Sequence, residues 1–235
     1  MTPTTLHYIH DPFCGWCYGA APLVKAARQV LPVLAHGGGM MAGDRRVQVS
    51  ASLRDYVRPH DLRIQQASGQ PFGEAYRDGL LRDTTAVLDS ALPIAAMLAV
   101  RQLTGGAAQG QDLDLLSRLQ TAHYVNGQQV SRPEVLVAHA QALGLEAGAF
   151  EEALAHALVH EAGPHILATR QLMGRIGAQG FPSFALESQG RLMPVAWQGF
   201  LGDPAGFAAH VAGLLPAQRD PAGEPLGCGP ESCAL

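Results

Sequence analysis

Cys14-Gly15-Trp16-Cys17 and Cys228-Gly-Pro-Glu-Ser-Cys233 hold all four cysteines of a 235-residue chain. Cysteine pairs spaced this closely suit two kinds of chemistry, dithiol/disulfide exchange or half of a zinc site. The first pair follows a β-prone run, Leu6 to His10, that stops at Asp11-Pro12, and it opens a stretch with helical periodicity. The first turn of a helix presents unpaired N–H groups and a partial positive charge, which stabilise a thiolate, and the thiolate is the nucleophile. Cys17 lies one turn further on, within reach of a mixed disulfide formed at Cys14. The zinc alternative needs a second ligand pair. Cys228/Cys233 offers one, but with a spacing that zinc ribbons seldom use. The expectation is therefore redox chemistry at Cys14 and Cys17, with no metal and no organic cofactor.

The elements that must position these sulfurs are legible in outline. The periodicity predicts a strand over Leu6 to His10, a helix of about four turns over Cys14 to Leu31, and a strand over Val33 to Ala35 closed by Gly37-Gly38-Gly39. From about Asp44 to Gly163 strand signals vanish and helical ones dominate, with breakers at Pro59, Ser68-Gly69, Gly105-Gly106, Asn126-Gly127 and Gly144. Asp89-Ser90 precedes a helix over Ala91 to Leu103, and Ser131-Arg132-Pro133-Glu134 reads as a capping box before Val135 to Leu143. A helix over Pro164 to Ile176, strands over Ser183 to Leu186 and Leu192 to Trp197, and a helix capped at Asp203-Pro204 complete the ordered chain. Residues 216–235, rich in Pro and Gly without periodicity, read as a mobile tail holding Cys228 and Cys233.

Composition narrows the function classes. Hydrophobic residues make up 47% and charged residues 15%, which supports a sizeable core and excludes disorder and coiled coil. Sixteen basic against 20 acidic side chains, net charge −4, leave no basic footprint for nucleic acid or an anionic membrane. No signal-length apolar run and no membrane-length span occur, so a cytoplasmic location is expected.

Gly180-Phe181-Pro182-Ser183-Phe184 stands just before the third expected strand. An X-Pro bond there is a candidate cis bond that frees the Phe181 backbone to pair with an extended peptide. The order strand, Cys-x-x-Cys helix, strand, helical insertion, helix, Gly-x-Pro, two strands and helix resembles the DsbA family of thiol-disulfide oxidoreductases. The stretch Asp11-Pro-Phe-Cys-Gly-Trp-Cys-Tyr-Gly-Ala-Ala-Pro22 is similar to its cytoplasmic FrnE-like branch. The resemblance implies an α/β thioredoxin fold with a large all-helical insertion, residues 1–43 and 163–215 forming the thioredoxin-fold domain and 44–162 the inserted domain. It implies that Cys14 attacks, that Cys17 resolves, and that Pro182 is cis and lines the substrate groove with Phe181. Trp16, between the cysteines, is read as a peptide platform. The expected partners are protein or peptide disulfides and a thiol reductant, glutathione or the thioredoxin system. With Gly-Trp between the cysteines and a reducing cytosol, reduction or isomerisation is favoured over net oxidation.

Two rival functions share these features. One is a glutathione-dependent isomerase or transferase of the kappa-class or hydroxychromene-carboxylate isomerase type, in which Ser commonly stands at the Cys14 position. The other is a redox-switched holdase or sensor. Cys228/Cys233 reads either as a secondary redox pair relaying electrons to Cys14/Cys17 or as an inert end. Gly37-x-Gly39-x-x-Ala42 is a loose dinucleotide match that follows the wrong strand, so its glycines are read as letting the chain leave the sheet. Glu152, His156 and His160 share a helical face that is read as solvated rather than metal-binding, because Gly163-Pro164 breaks the helix a zinc motif needs.

Overall fold

The computed structural model describes residues 4–215, so Cys228, Cys233 and the expected tail lie outside the described residues. A four-stranded sheet is built from β1 (Thr5–His10), β2 (Val33–Gly37), β5 (Ser183–Ser188) and β6 (Arg191–Val195), in the order β2-β1-β5-β6. β1 pairs parallel with β2 and antiparallel with β5, and β5 pairs antiparallel with β6. Parallel neighbours need a crossover, and the motif helices supply it. This is a thioredoxin fold with a DsbA-like helical elaboration. The chain leaves the sheet after Gly37 and re-enters at Ser183. Between these points it is mainly helical: α3 (Ala51–Ser68), α4 (Ala91–Leu103), α5 (Gln111–Tyr124), α6 (Pro133–Gln141), α7 (Ala147–His160) and α8 (Ala162–Arg175).

Four local expectations are corrected. The single helix expected from Cys14 to Leu31 is two, α1 (Gly15–Gly19) and α2 (Ala21–Ala27). Pro22 has no N–H for the Tyr18 carbonyl, and the Gln70 side chain donates to that carbonyl instead (3.2 Å). Pro59 does not break α3, because the proline is exposed and the carbonyl it leaves unpaired can be hydrated. The helical stretch also holds one two-residue ladder, β3 (Val47–Gln48) with β4 (Val87–Leu88), too short to leave an alternation in the sequence. Finally, the Ser131 capping box does not form. Ser131 Oγ accepts from Asp89 N (3.1 Å), and Arg132 stands at the cap of α6, where its side chain accepts no bond from the first-turn amides.

The last helix, α9 (Pro204–Gly213), is capped as expected, with Asp203 accepting from Gly206 N (2.9 Å). It packs on α2 and brings Phe207 against Phe184 of β5, with ring centroids 5.2 Å apart, while Phe184 stacks on Tyr8 of β1 (5.0 Å). α4 reaches β2 at Gly37 through Ile94, and α8 reaches the turn that follows it at Gly39 through Ile166. Arg101 of α4 pairs with the buried Asp112 (2.5 Å) and donates to the Ala35 carbonyl of β2. The helical segment is thus bonded to the sheet as well as packed on it.

α3 bears directly on the motif helix. A Cβ added at Gly15 would stand 2.8 Å from Ile64 Cδ1, and one at Gly19 2.8 Å from Ile64 Cγ2, so both glycines make room for α3. One turn before Ile64, Asp61 is buried and accepts from the Tyr76 hydroxyl (3.2 Å). Burial pushes its carboxyl up to about 7, against the opposing pull of Tyr76 and Arg77. A carboxyl raised in the folded state leaves stability intact below its ordinary pKa and removes it as pH rises through the folded value. Asp61 alone should therefore remove on the order of 3 kcal/mol between about pH 4 and pH 8, read in urea unfolding as a difference between wild type and Asp61→Asn that shifts against the wild type by that amount as pH rises. An unchanged pH profile in Asp61→Asn would contradict the assignment.

Candidate active site

The Cys14 side chain is the cap of α1. Its sulfur accepts from Cys17 N (3.4 Å), while its carbonyl accepts from Cys17 N and Tyr18 N (2.9 and 3.1 Å). The amides of the first turn thus converge on one residue, sulfur included. On its other side the Cys14 thiol contacts the Phe181 carbonyl at 3.5 Å, and the Phe181–Pro182 peptide bond is cis. Cys14, Cys17, Phe181 and Pro182, 167 residues apart at the Cys14–Phe181 contact, therefore meet in one place.

The two sulfurs are not equivalent. Cys14 keeps 6% of its surface exposed and Cys17 keeps none, so only Cys14 is open to a partner. Both are free thiols. Burial pushes the Cys17 thiol well up, and the Cys14 sulfur beside it adds to the effect. Tyr8 from β1 donates its hydroxyl to the Cys17 carbonyl (3.2 Å), tying the motif to the sheet beneath it.

Asp11 and Arg170 were not singled out from the sequence. Asp11 is fully buried; its carboxylate accepts from Phe13 N (3.0 Å), Met40 N (2.5 Å) and Ser90 Oγ (2.9 Å), and its carbonyl accepts from Cys14 N (3.1 Å). One side chain thus joins the motif, the glycine-rich exit from β2 and the start of α4. Burial raises its pKa to about 6, against the pull of those donors. Its place three residues before Cys14 is the signal that could have found it. Arg170 of α8 donates to the Gly38 carbonyl (2.6 Å) and stands over the Phe181 ring, 5.0 Å from the centroid. Gly38 lies under the same ring, where a Cβ would overlap it. Nothing near Arg170 in the sequence marks it.

Trp16 is half-buried against the core, so its ring is shared between packing and surface. Phe13 and Tyr18 are core residues, Tyr18 stacking on Tyr124 at 4.8 Å. His156 pairs with Glu161 (3.1 Å) where α7 gives way to α8, and among the described residues no group of three or more His, Cys, Asp or Glu side chains is placed to hold a metal ion. A cavity of about 810 Å³ lies between α2 and α5, and neither Cys14 nor Cys17 lines it. No helix among the described residues is long and apolar enough to cross a membrane.

No family model matches the chain, and no curated protein matches it. Solved structures do. The cytosolic disulfide reductase DsbM from Pseudomonas aeruginosa is 48% identical over 88% of this chain and 96% of its own, with a TM-score of 0.81. A second structure of DsbM, with GSH, gives 46% identity over 88% and 96% with a TM-score of 0.79. A candidate protein disulfide isomerase from Nitrosomonas europaea shares the fold at 23% identity over 83% and 89%, with a TM-score of 0.69. At this identity and coverage the chain is an enzyme of the family these structures represent: it belongs to the DsbA family of thiol-disulfide oxidoreductases.

Proposed function

We propose that the protein reduces or isomerises disulfides in protein or peptide substrates through Cys14 and Cys17, in the cytoplasm, with a glutathione-type thiol as reductant. The observation that carries this reading is the inequality of the two sulfurs: Cys14, capping α1 beside Phe181, retains exposure, and Cys17 beneath it retains none. The description of the relative DsbM as a cytosolic disulfide reductase, and its structure with GSH, support the direction, the compartment and the reductant.

In the first step the Cys14 thiolate attacks one sulfur of the substrate disulfide. A Cys14–substrate S–S bond forms, the substrate S–S bond breaks, and one substrate thiolate leaves. The Cys17 N–H directed at the Cys14 sulfur favours the anionic nucleophile. In the second step Cys17 attacks the Cys14 sulfur and forms the Cys14–Cys17 disulfide. Its proton passes to the departing substrate sulfur as the Cys14–substrate bond breaks, and the thiolate released in the first step takes a proton from water, so the substrate ends as two thiols. Two equivalents of thiol then restore the dithiol and leave as the reductant's own disulfide. Burial keeps Cys17 protonated until a mixed disulfide brings a leaving group within reach, which orders the two steps. Phe181 and Pro182 line the groove for the substrate chain, Trp16 flanks it, and residues 44–162 act as an inserted domain that walls it.

Cys14→Ser should lose insulin-reducing and scrambled-ribonuclease activity by at least about a hundredfold, since no other sulfur of the motif is reachable. Unchanged turnover in both assays would overturn the assignment. Cys17→Ser should instead accumulate a mixed disulfide at Cys14, visible by intact mass and removed by dithiothreitol. Finding the adduct at any other residue would reverse the proposed roles.

A further inference from the structure

Two guanidiniums meet on one backbone carbonyl beside the contact between Cys14 and Phe181, and among the described residues neither is ion-paired with a carboxylate. Arg170 donates Nη2–H to the Gly39 carbonyl (3.2 Å), and Arg45 donates to the same oxygen (3.0 Å). Arg170 also covers the Phe181 ring, and the Phe181 carbonyl is the one the Cys14 thiol contacts. Cations, ring and sulfur are therefore consecutive neighbours around the Gly38-Gly39 turn.

Each guanidinium has five N–H donors, more than these carbonyls occupy. Neither arginine takes part in any ion pair among the described residues. The carboxylate whose charge acts on Arg170 is Asp11, already engaged by Phe13, Met40 and Ser90. The Arg45 charge opposes that of Arg170, so the pair raises the local potential, and no carboxylate forms a direct ion pair with either among the described residues. Arg45 is exposed and Arg170 half-buried, so an incoming anion has access to both. The chain as a whole carries net charge −4, which repels anions in general; a local cationic pair is what an anionic partner of Cys14 would need.

We infer that Arg45 and Arg170 form a carboxylate-binding subsite, which holds carboxylate-bearing small disulfides with their sulfurs toward Cys14. Planar carboxylates match the forked donors of guanidinium in a way that hydroxyl or ammonium groups do not. The inference rests on the exchange reading above and adds the substrate class to it. A merely structural Arg170, fixing the glycine turn and the Phe181 ring, predicts equal effects on all disulfides, so charge discrimination is the readout that separates the two.

The test uses the full-length dithiol protein, regenerated after each turnover by a fixed concentration of dithiothreitol, and three disulfides of similar size: dithiodiglycolate (anionic), bis(hydroxyethyl) disulfide (neutral) and cystamine (cationic). Oxidised glutathione is a fourth arm, and each rate is referred to that with free dithiothreitol. The wild type should prefer the anionic disulfides at low salt, and high salt should compress the preference. In Arg45→Gln and in Arg170→Gln the anionic-to-cationic ratio of kcat/KM should fall about five- to tenfold, through KM. Arg45→Glu should turn the preference toward cystamine. A wild-type ratio near one, or a ratio unmoved in the Arg45 variants, would overturn the subsite while leaving exchange itself intact. So would a response confined to oxidised glutathione, which would mean recognition of the tripeptide rather than of its charge. Absence of turnover with all four disulfides would contradict the exchange reading and this inference together.

Discussion

The sulfur of Cys14 occupies the place of a capping oxygen at the start of α1, and this contact constrains everything around it. To hold the sulfur there, the chain must leave β1, turn through Asp11-Pro12-Phe13 and enter a helix within four residues. Asp11 enforces the turn, accepting from Phe13 N and receiving Cys14 N on its own carbonyl. The same carboxylate takes Met40 N and Ser90 Oγ, so the motif, the exit from β2 and the entry to α4 are set by one buried group. Burying a carboxylate is unfavourable unless donors surround it, and three do.

Packing determines which residues the motif can contain. Ile64 of α3 lies against Gly15 and Gly19, so a larger side chain at either would push α3 off the helix that carries the sulfurs. Gly15, half of the dipeptide between the cysteines, has a steric reason for its place: it leaves room for Ile64. Gly38 follows the same logic on the opposite wall, where its missing side chain admits the Phe181 ring beneath Arg170.

Features set by neighbouring residues were legible in the sequence. β1 and its stop at Asp11-Pro12, the helix start at Cys14, the glycine exit after β2 and the Asp203 cap are local, and each appears within two residues of its expected place. Features decided by distant partners were not. Ser131 looks like a cap, but Asp89 N claims its hydroxyl across 42 residues. Ser90 turns to Asp11 across 79, and Arg170 finds Gly38 across 132. The carbonyl that Pro22 leaves without its helical donor is served by Gln70, 52 residues away. The cysteines and the Gly-Phe-Pro segment announce the chemistry, whereas the groups that surround them are brought in by the tertiary fold.

The central claim is that the two thiols of the motif differ in access, Cys14 facing the partner and Cys17 held beneath it. Peptide-mapped alkylation of the reduced native protein tests it most directly. Brief exposure to iodoacetamide near neutral pH should label Cys14 while Cys17 stays unmodified until the protein is denatured. Equal labelling of the two, or labelling of Cys17 first, would contradict the account.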